Sequence, residues 1–229
     1  MLIDLHTHHL PEKAHGRTIF SLSVAKKNEV ELLEKQKQSS DLYFSVGLHP
    51  WQVDSQWKEY ATCLEKISKN KQVIAIGEAG LDKYQGGIWD NQLQAFEFQA
   101  LLAEERKLPL IIHCVKSMQE IIAFKKQLQP AQPWIIHGFR GKSTQAQQLW
   151  KLGFYFSLGE HCPPDTLRAI PAQVLFLETD ESIIPIEELY RKAATLRNVS
   201  MEELIQQTNT NFLNLFSLTS IDFNCKNMT

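Results

Sequence analysis

The chain has 229 residues, 43% of them hydrophobic and 22% charged, with 24 Lys and Arg against 26 Asp and Glu for a formal net charge of −2. This is an ordinary globular balance, long enough for one full hydrophobic core. The charge balance excludes a protein-wide basic field, so a nucleic-acid substrate would have to be held by a local patch. No apolar run approaches the ~20 residues of a membrane span.

Taken in order, short apolar runs alternate with helical patterns. Strands are expected at Leu2–Leu5, Thr18–Ser23, Leu42–Val46, Val73–Ile76, Leu110–Ile112, Trp134–Ile136, Phe154–Ser157 and Val174–Leu177. Helical patterns fall at Asn28–Gln38, Trp57–Lys69, Asn91–Lys107, Ser117–Gln127, Ser143–Leu152 and Pro164–Ile170, and two more, Ile186–Arg197 and Ser200–Phe216, follow the last strand. Trp57–Lys69 places Tyr60, Ala61, Leu64 and Ile67 at helical spacing, and Asn91–Lys107 does the same with Leu93, Phe96, Ala100 and Leu101. Nearly all-apolar strands between helices indicate a parallel sheet buried on both faces. Eight such units point to a distorted (β/α)8 TIM barrel, whose active sites lie at the C-terminal strand ends. An open doubly wound sheet is the alternative, but it does not naturally converge side chains from first, middle and last strands. Between His9 and Arg17 there is little room for a crossover helix, so an irregular linker is expected there. Residues 1–218 read as one barrel domain and 219–229 as a polar tail.

The strand ends carry the chemistry. In the opening stretch His6 and His8 flank Thr7, and residues two apart on an extended strand face the same side. Five later runs also end on a potential ligand: Phe44-Ser45-Val46-Gly47-Leu48-His49, Val73 to Glu78, Leu110 to His113, Trp134 to His137, and Val174 to Asp180. Collected, the candidate ligands are His6, His8, Glu78, His113, His137 and Asp180. Imidazole and carboxylate together suit zinc, manganese, iron or nickel better than calcium. Six ligands exceed what one catalytic ion with an open position needs, and two ions sharing a carboxylate account for them more economically. Asp180, by position, would take the proton of the attacking water.

In sequence order these segments resemble the TatD-type metal-dependent deoxyribonucleases of the amidohydrolase superfamily. His6-Thr7-His8 resembles the family's HxH, Gly47-Leu48-His49-Pro50 its GxHP turn, and Ile76-Gly77-Glu78-Ala79-Gly80-Leu81-Asp82 its IGExGLD segment. Leu108 to His113 is similar to LPxxIH, His137-Gly138-Phe139-Arg140-Gly141 to HxFxG, and Leu177-Glu178-Thr179-Asp180 to LETD. Asn211 to Phe216 resembles the closing helix, so the likeness spans nearly the whole chain. It implies one divalent ion on His6, His8 and Asp180, a second on His113 and His137, a bridging Glu78, and hydrolysis of DNA from a strand end. Magnesium joins the ions to be considered. Two segments depart from the pattern. The family's HTRDA is here His113-Cys114-Val115-Lys116-Ser117, and Glu181-Ser182 stands where Ser-Pro usually follows LETD.

Arg140 and Lys142 can supply phosphate contacts in place of the missing arginine, and His49 either reaches substrate or holds the Pro50 turn. Asp4 either orients an imidazole or caps its strand; Asp82 either positions a loop or contacts substrate. His161 with Glu160 either lines the pocket or sits on a solvated loop, while His9 and His15 read as linker residues. Trp51 and Trp57 either stack on bases or pack helix against sheet. Arg140-Gly141-Lys142-Ser143 is not a phosphate loop, because the pattern needs glycine at position 136, which is Ile. Asp4 to His8 also resembles the opening of PHP-type phosphoesterases, leaving phosphomonoester hydrolysis as an alternative, with other small ester or amide substrates beside it. A metal-stabilised binding protein without turnover is the alternative of a different class. Four cysteines without CxxC spacing and an N-terminus without a secretory pattern lead to the expectation of a cytoplasmic protein. No membrane association and no obligate protein partner is expected.

Overall fold

The computed structural model describes residues 1–10, 16–35, 41–85 and 87–216. Its strands are β1 (Leu2–Thr7), β2 (Gly16–Ser23), β3 (Leu42–Gly47), β4 (Val73–Asp82), β5 (Leu110–Val115), β6 (Trp134–Ile136), β7 (Phe154–Leu158) and β8 (Leu175–Leu177). They hydrogen-bond in sequence order in one eight-stranded sheet. The described α-helices are α1 (Lys27–Lys35), α2 (Trp57–Ile67), α3 (Trp89–Arg106), α4 (Met118–Leu128), α5 (Ser143–Lys151), α6 (Pro164–Ala169), α7 (Ile186–Arg197) and α8 (Met201–Leu215). This is the (β/α)8 topology that the alternation of strand and helix predicts. No described residue between β1 and β2 is helical, as the short connection requires. Residues 11–15 of that linker, the end of the predicted Asn28–Gln38 helix and the 219–229 tail lie outside the described residues.

Contacts group the chain into two compact units, one formed by Met1–Thr18, Ser39–Leu42 and Gly138–Thr229, the other by Ile19–Gln38 and Tyr43–His137. In the first, the segment just after β8 returns to β1. The Asp180 N–H donates to the His6 carbonyl at 2.9 Å and the His8 N–H to the Asp180 carbonyl at 3.1 Å, with a parallel bridge between Thr7 and Asp180. Tyr190 of α7, fully buried, anchors the other end of β1: its hydroxyl accepts from the Ile3 N–H at 3.3 Å and lies 3.1 Å from the Ile3 carbonyl and 2.9 Å from Thr208 Oγ1. Asn211 of α8 donates to the carbonyls of Ala172 and Leu175, fixing the start of β8.

In the second unit, β4 is buried at every position and runs six residues beyond the predicted Ile76 end. The reason is its register against β5: Ile76 pairs with Leu110 and Ala79 with Ile112, an irregularity that absorbs Gly77 and Glu78 and lets pairing resume to Asp82. Gly77 is required there. Its φ is +137°, and a Cβ would stand 2.5 Å from the Ile111 carbonyl oxygen. Glu78 therefore sits inside a strand, not at its end.

Helix α3 also departs from expectation. Leu101 is 52% exposed, whereas Gln92 and Gln99 are buried. The two glutamines lie seven residues apart, two turns along one face, and each pairs with a peptide unit. Gln99 accepts from the Leu48 N–H at 2.8 Å and donates to its carbonyl at 3.1 Å; Gln92 does the same for Asp82 at 2.9 and 3.2 Å. A carboxamide reproduces the donor–acceptor pair of a peptide, so it satisfies backbone that the sheet leaves unpaired. Replacing Gln99 by Leu leaves a buried N–H and C=O of Leu48 without these partners. Denaturant unfolding is expected to show a loss of roughly 2–4 kcal/mol; a change below 0.5 kcal/mol would sink the clamp.

Candidate metal centre

The first unit brings His6, His8 and Asp180 together. His6 is fully buried at the end of β1, and His8 follows one residue beyond the strand. Their Nε2 atoms lie 3.9 and 3.7 Å from Asp180 Oδ1, and the rings meet edge to face with centroids 5.1 Å apart. Those separations are too long for hydrogen bonds. They match donors around a common ion, since ligands at about 2.1 Å from one cation lie roughly 3–4 Å apart. Two imidazoles and a carboxylate, with donor atoms all within 4.8 Å of one another, are a donor set that fits a transition-metal ion.

Backbone strain marks the same place. Asp180 has φ +56°, a left-handed conformation costing a non-glycine residue about 1 kcal/mol or more. Its two main-chain bonds to β1 hold it there, and its neighbour is clamped. Asp4, on β1, accepts from the Thr179 N–H at 2.9 Å and from its hydroxyl at 2.7 Å. Burial pushes the Asp4 carboxyl up to about 7, with Thr179's bonds working the other way. Asp4 thus braces the residue beside Asp180, and its carboxylate also accepts from the His6 backbone on its own strand.

The second unit assembles His49, Glu78, Asp82, His113 and His137. Glu78 Oε1 lies 2.8 Å from His113 Nδ1, 2.7 Å from His137 Nε2 and 3.1 Å from His49 Nε2. Burial alone would raise the Glu78 pKa, but the His137 charge and the bonds from His113, His137 and His49 take it well below the usual carboxylate range. Burial lowers the His49 pKa, against the pull of Glu78. On its other nitrogen His113 meets Asp82 Oδ2 at 3.1 Å. His113 is thus held between two carboxylates, Glu78 on Nδ1 and Asp82 on Nε2, with Asp82 fixing the orientation of the ring. Asp82 does hold a loop, its Oδ1 accepting from the N–H groups of Tyr84 and Gln85 at 2.8 and 2.9 Å. His49 also caps the turn that Pro50 begins, accepting from the Trp51 N–H at 3.2 Å. His49, Glu78 and His113 form a second compact donor set.

A cleft of about 240 Å³ in the first unit is lined by Arg140, Glu160, His161, Cys162 and the Glu178 to Ser182 segment, Asp180 among them. Arg140 therefore reaches the space beside a candidate ligand. Lys142 is exposed at the start of α5, outside that lining. His161 is on the cleft wall, and His9 is exposed near the Glu181 carbonyl. Glu178 was not singled out from sequence. It is fully buried, and its Oε1 accepts from the Gly138 N–H at 2.6 Å. The signal was its place in the apolar run, where a carboxylate needs a stated partner.

A family model described as TatD related DNase matches residues 7–217. A protein described as an uncharacterized metal-dependent hydrolase, from Buchnera aphidicola, is 29% identical over 91% of this chain and 87% of its own length. A 3'-5' ssDNA/RNA exonuclease TatD from Klebsiella pneumoniae is 30% identical over 69% of this chain and 64% of its own. Among solved structures, a TatD homologue from Escherichia coli superposes with a TM-score of 0.77 at 22% identity, covering 95% of this chain and 98% of that one. That last likeness speaks for the fold.

Ligation by these donor sets has a thermodynamic consequence, because an ion that binds only the folded chain stabilises it by RT ln(1 + [L]/Kd). Manganese or zinc at a hundred times its dissociation constant is expected to add about 2.7 kcal/mol of unfolding free energy over the chelated protein. Asp180→Asn should lose at least half of that gain. An identical melting curve with and without metal would refute the donor-set reading.

Proposed function

From the chain's membership of the TatD-related DNase family, we propose that this metal-dependent hydrolase cleaves phosphodiester bonds of DNA, from a strand end, with two divalent cations. The observation that carries the reading is the spacing of His6 and His8 about Asp180. His6, His8 and Asp180 would hold one ion, and His113 and His137 with Glu78 would hold the other. Such ions supply Lewis acidity at phosphorus and lower the pKa of the attacking water.

The chain's own groups do the rest. Asp180 retains a partly exposed carboxylate, 29% accessible, and accepts the proton released as the water attacks. Glu78 is kept anionic despite its burial by the surrounding imidazoles, the state that a carboxylate ligand needs. Arg140, on the cleft wall beside Asp180, offers a forked donor to the phosphate oxygens, in place of the arginine that the family carries after the β5 histidine. The exonuclease name of the Klebsiella relative supports the same substrate class. The free thiols of Cys63, Cys114 and Cys162 agree with assignment to the cytoplasm.

Single-stranded and duplex DNA should be incubated with magnesium, manganese or zinc, beside an EDTA control. Cleavage is expected only with metal, and Asp180→Asn should lower kcat by about 10²–10⁴-fold. Binding of metal without cleavage of either DNA would overturn the nuclease reading and direct the search to phosphomonoesters and carboxylic esters.

A further inference from the structure

Two tryptophans follow β3, and the structure treats them differently. Trp57 is 7% exposed, with its ring 6.2 Å from Phe98 of α3. Trp51 is 51% exposed, yet its ring is held. Its Nε1–H donates to Asp82 Oδ2 at 2.8 Å, the oxygen that also meets His113 Nε2. Its plane stands nearly at right angles to the rings of His49 and His113, with centroids 4.8 and 5.9 Å away. Tyr84, 74% exposed, belongs to the loop whose N–H groups Asp82 Oδ1 accepts.

These contacts satisfy the indole's one polar atom and fix its plane while leaving an aromatic surface in water. Burying that face would be favourable, since aromatic side chains dominate burial energetics. Here the anchor to Asp82 keeps it open, directly beside a histidine of the second donor set. A flat, rigid, uncharged surface next to a phosphate-handling centre suits an unpaired nucleobase. Stacking on an aromatic ring is tolerant of sequence because every base has a π-face.

We propose that Trp51 is the stacking platform for an unpaired base of the strand whose phosphate is bound at the second donor set, with Asp82 as the residue that positions both the indole and His113. The proposal rests on the phosphodiesterase reading and adds a requirement for unstacked bases. Duplex ends must fray before they engage.

The test is equilibrium binding of a fluorescein-labelled phosphorothioate octathymidylate in manganese, read by anisotropy, with indole emission followed in parallel using the unlabelled strand. Trp51→Ala is expected to weaken binding about 5- to 150-fold, and Trp51→Phe less. Replacing the bases by abasic sugars should weaken the wild-type protein similarly and cost Trp51→Ala nothing further. Binding should quench indole emission in the wild type and leave Trp51→Phe unchanged. Unaltered affinity in Trp51→Ala, or an equal loss on intact and abasic strands, would overturn the platform while leaving a DNA-cleaving wild type as a nuclease. A wild-type protein that neither binds nor cleaves DNA would overturn platform and nuclease together.

Discussion

Two main-chain hydrogen bonds set the geometry of the first donor cluster. Asp180 donates to the His6 carbonyl and accepts from the His8 N–H, so the backbone of one candidate ligand is laced to the backbones of the other two. Ligand spacing there does not depend on flexible side chains finding one another. It is fixed by the same ladder that joins the segment after β8 to β1. The left-handed φ of Asp180 is the local cost, and the Thr179 clamp on buried Asp4 helps to offset it. Tyr190 secures the far end of β1. The strand is thus held at both ends, and its C-terminal end carries two of the candidate metal donors.

The second cluster is organised from a helix. Gln92 and Gln99 of α3 act as surrogate peptides for Asp82 and Leu48, so the residue before His49 and the residue that orients His113 are held by one rigid element. The two clusters differ in character. His6, His8 and Asp180 stand apart at ion-sharing distances. His49, Glu78, His113 and Asp82 are connected by direct hydrogen bonds. Glu78 is the electrostatic centre of that network, a buried anion kept charged by surrounding imidazoles.

Family membership establishes a metal-dependent hydrolase; the substrate side is where this chain departs from the pattern. In the altered His113 to Ser117 segment, the Ser117 hydroxyl is spent on the Leu81 carbonyl at 2.7 Å, and Cys114 is a protonated thiol whose pKa burial raises. Lys116 is exposed with a left-handed φ of +53°. The groups proposed for recognition lie elsewhere: Arg140 on a cleft wall shared with Asp180, and the aromatic surface of Trp51.

The sequence by itself determined the order of strands and helices, because short apolar runs between amphipathic segments have one economical packing. It also marked His6, His8, Glu78, His113, His137 and Asp180, since a polar residue ending an apolar run stands out against its neighbours. What only tertiary structure decided were pairings between residues far apart in the chain. Asp4 reads from sequence as an orienting group or a strand cap; its bond to Thr179, 175 residues away, is one that only packing shows. Glu78 looked like a strand terminus, but β4 continues past it because its register shifts against β5. Gln92 and Gln99 were invisible to hydrophobic periodicity, which counts only apolar positions, although their amides fill the buried face that Leu101 does not. Apolar patterning records which side of an element leaves water; which polar group meets which buried backbone amide depends on register and crossing, and those are fixed only when the elements pack.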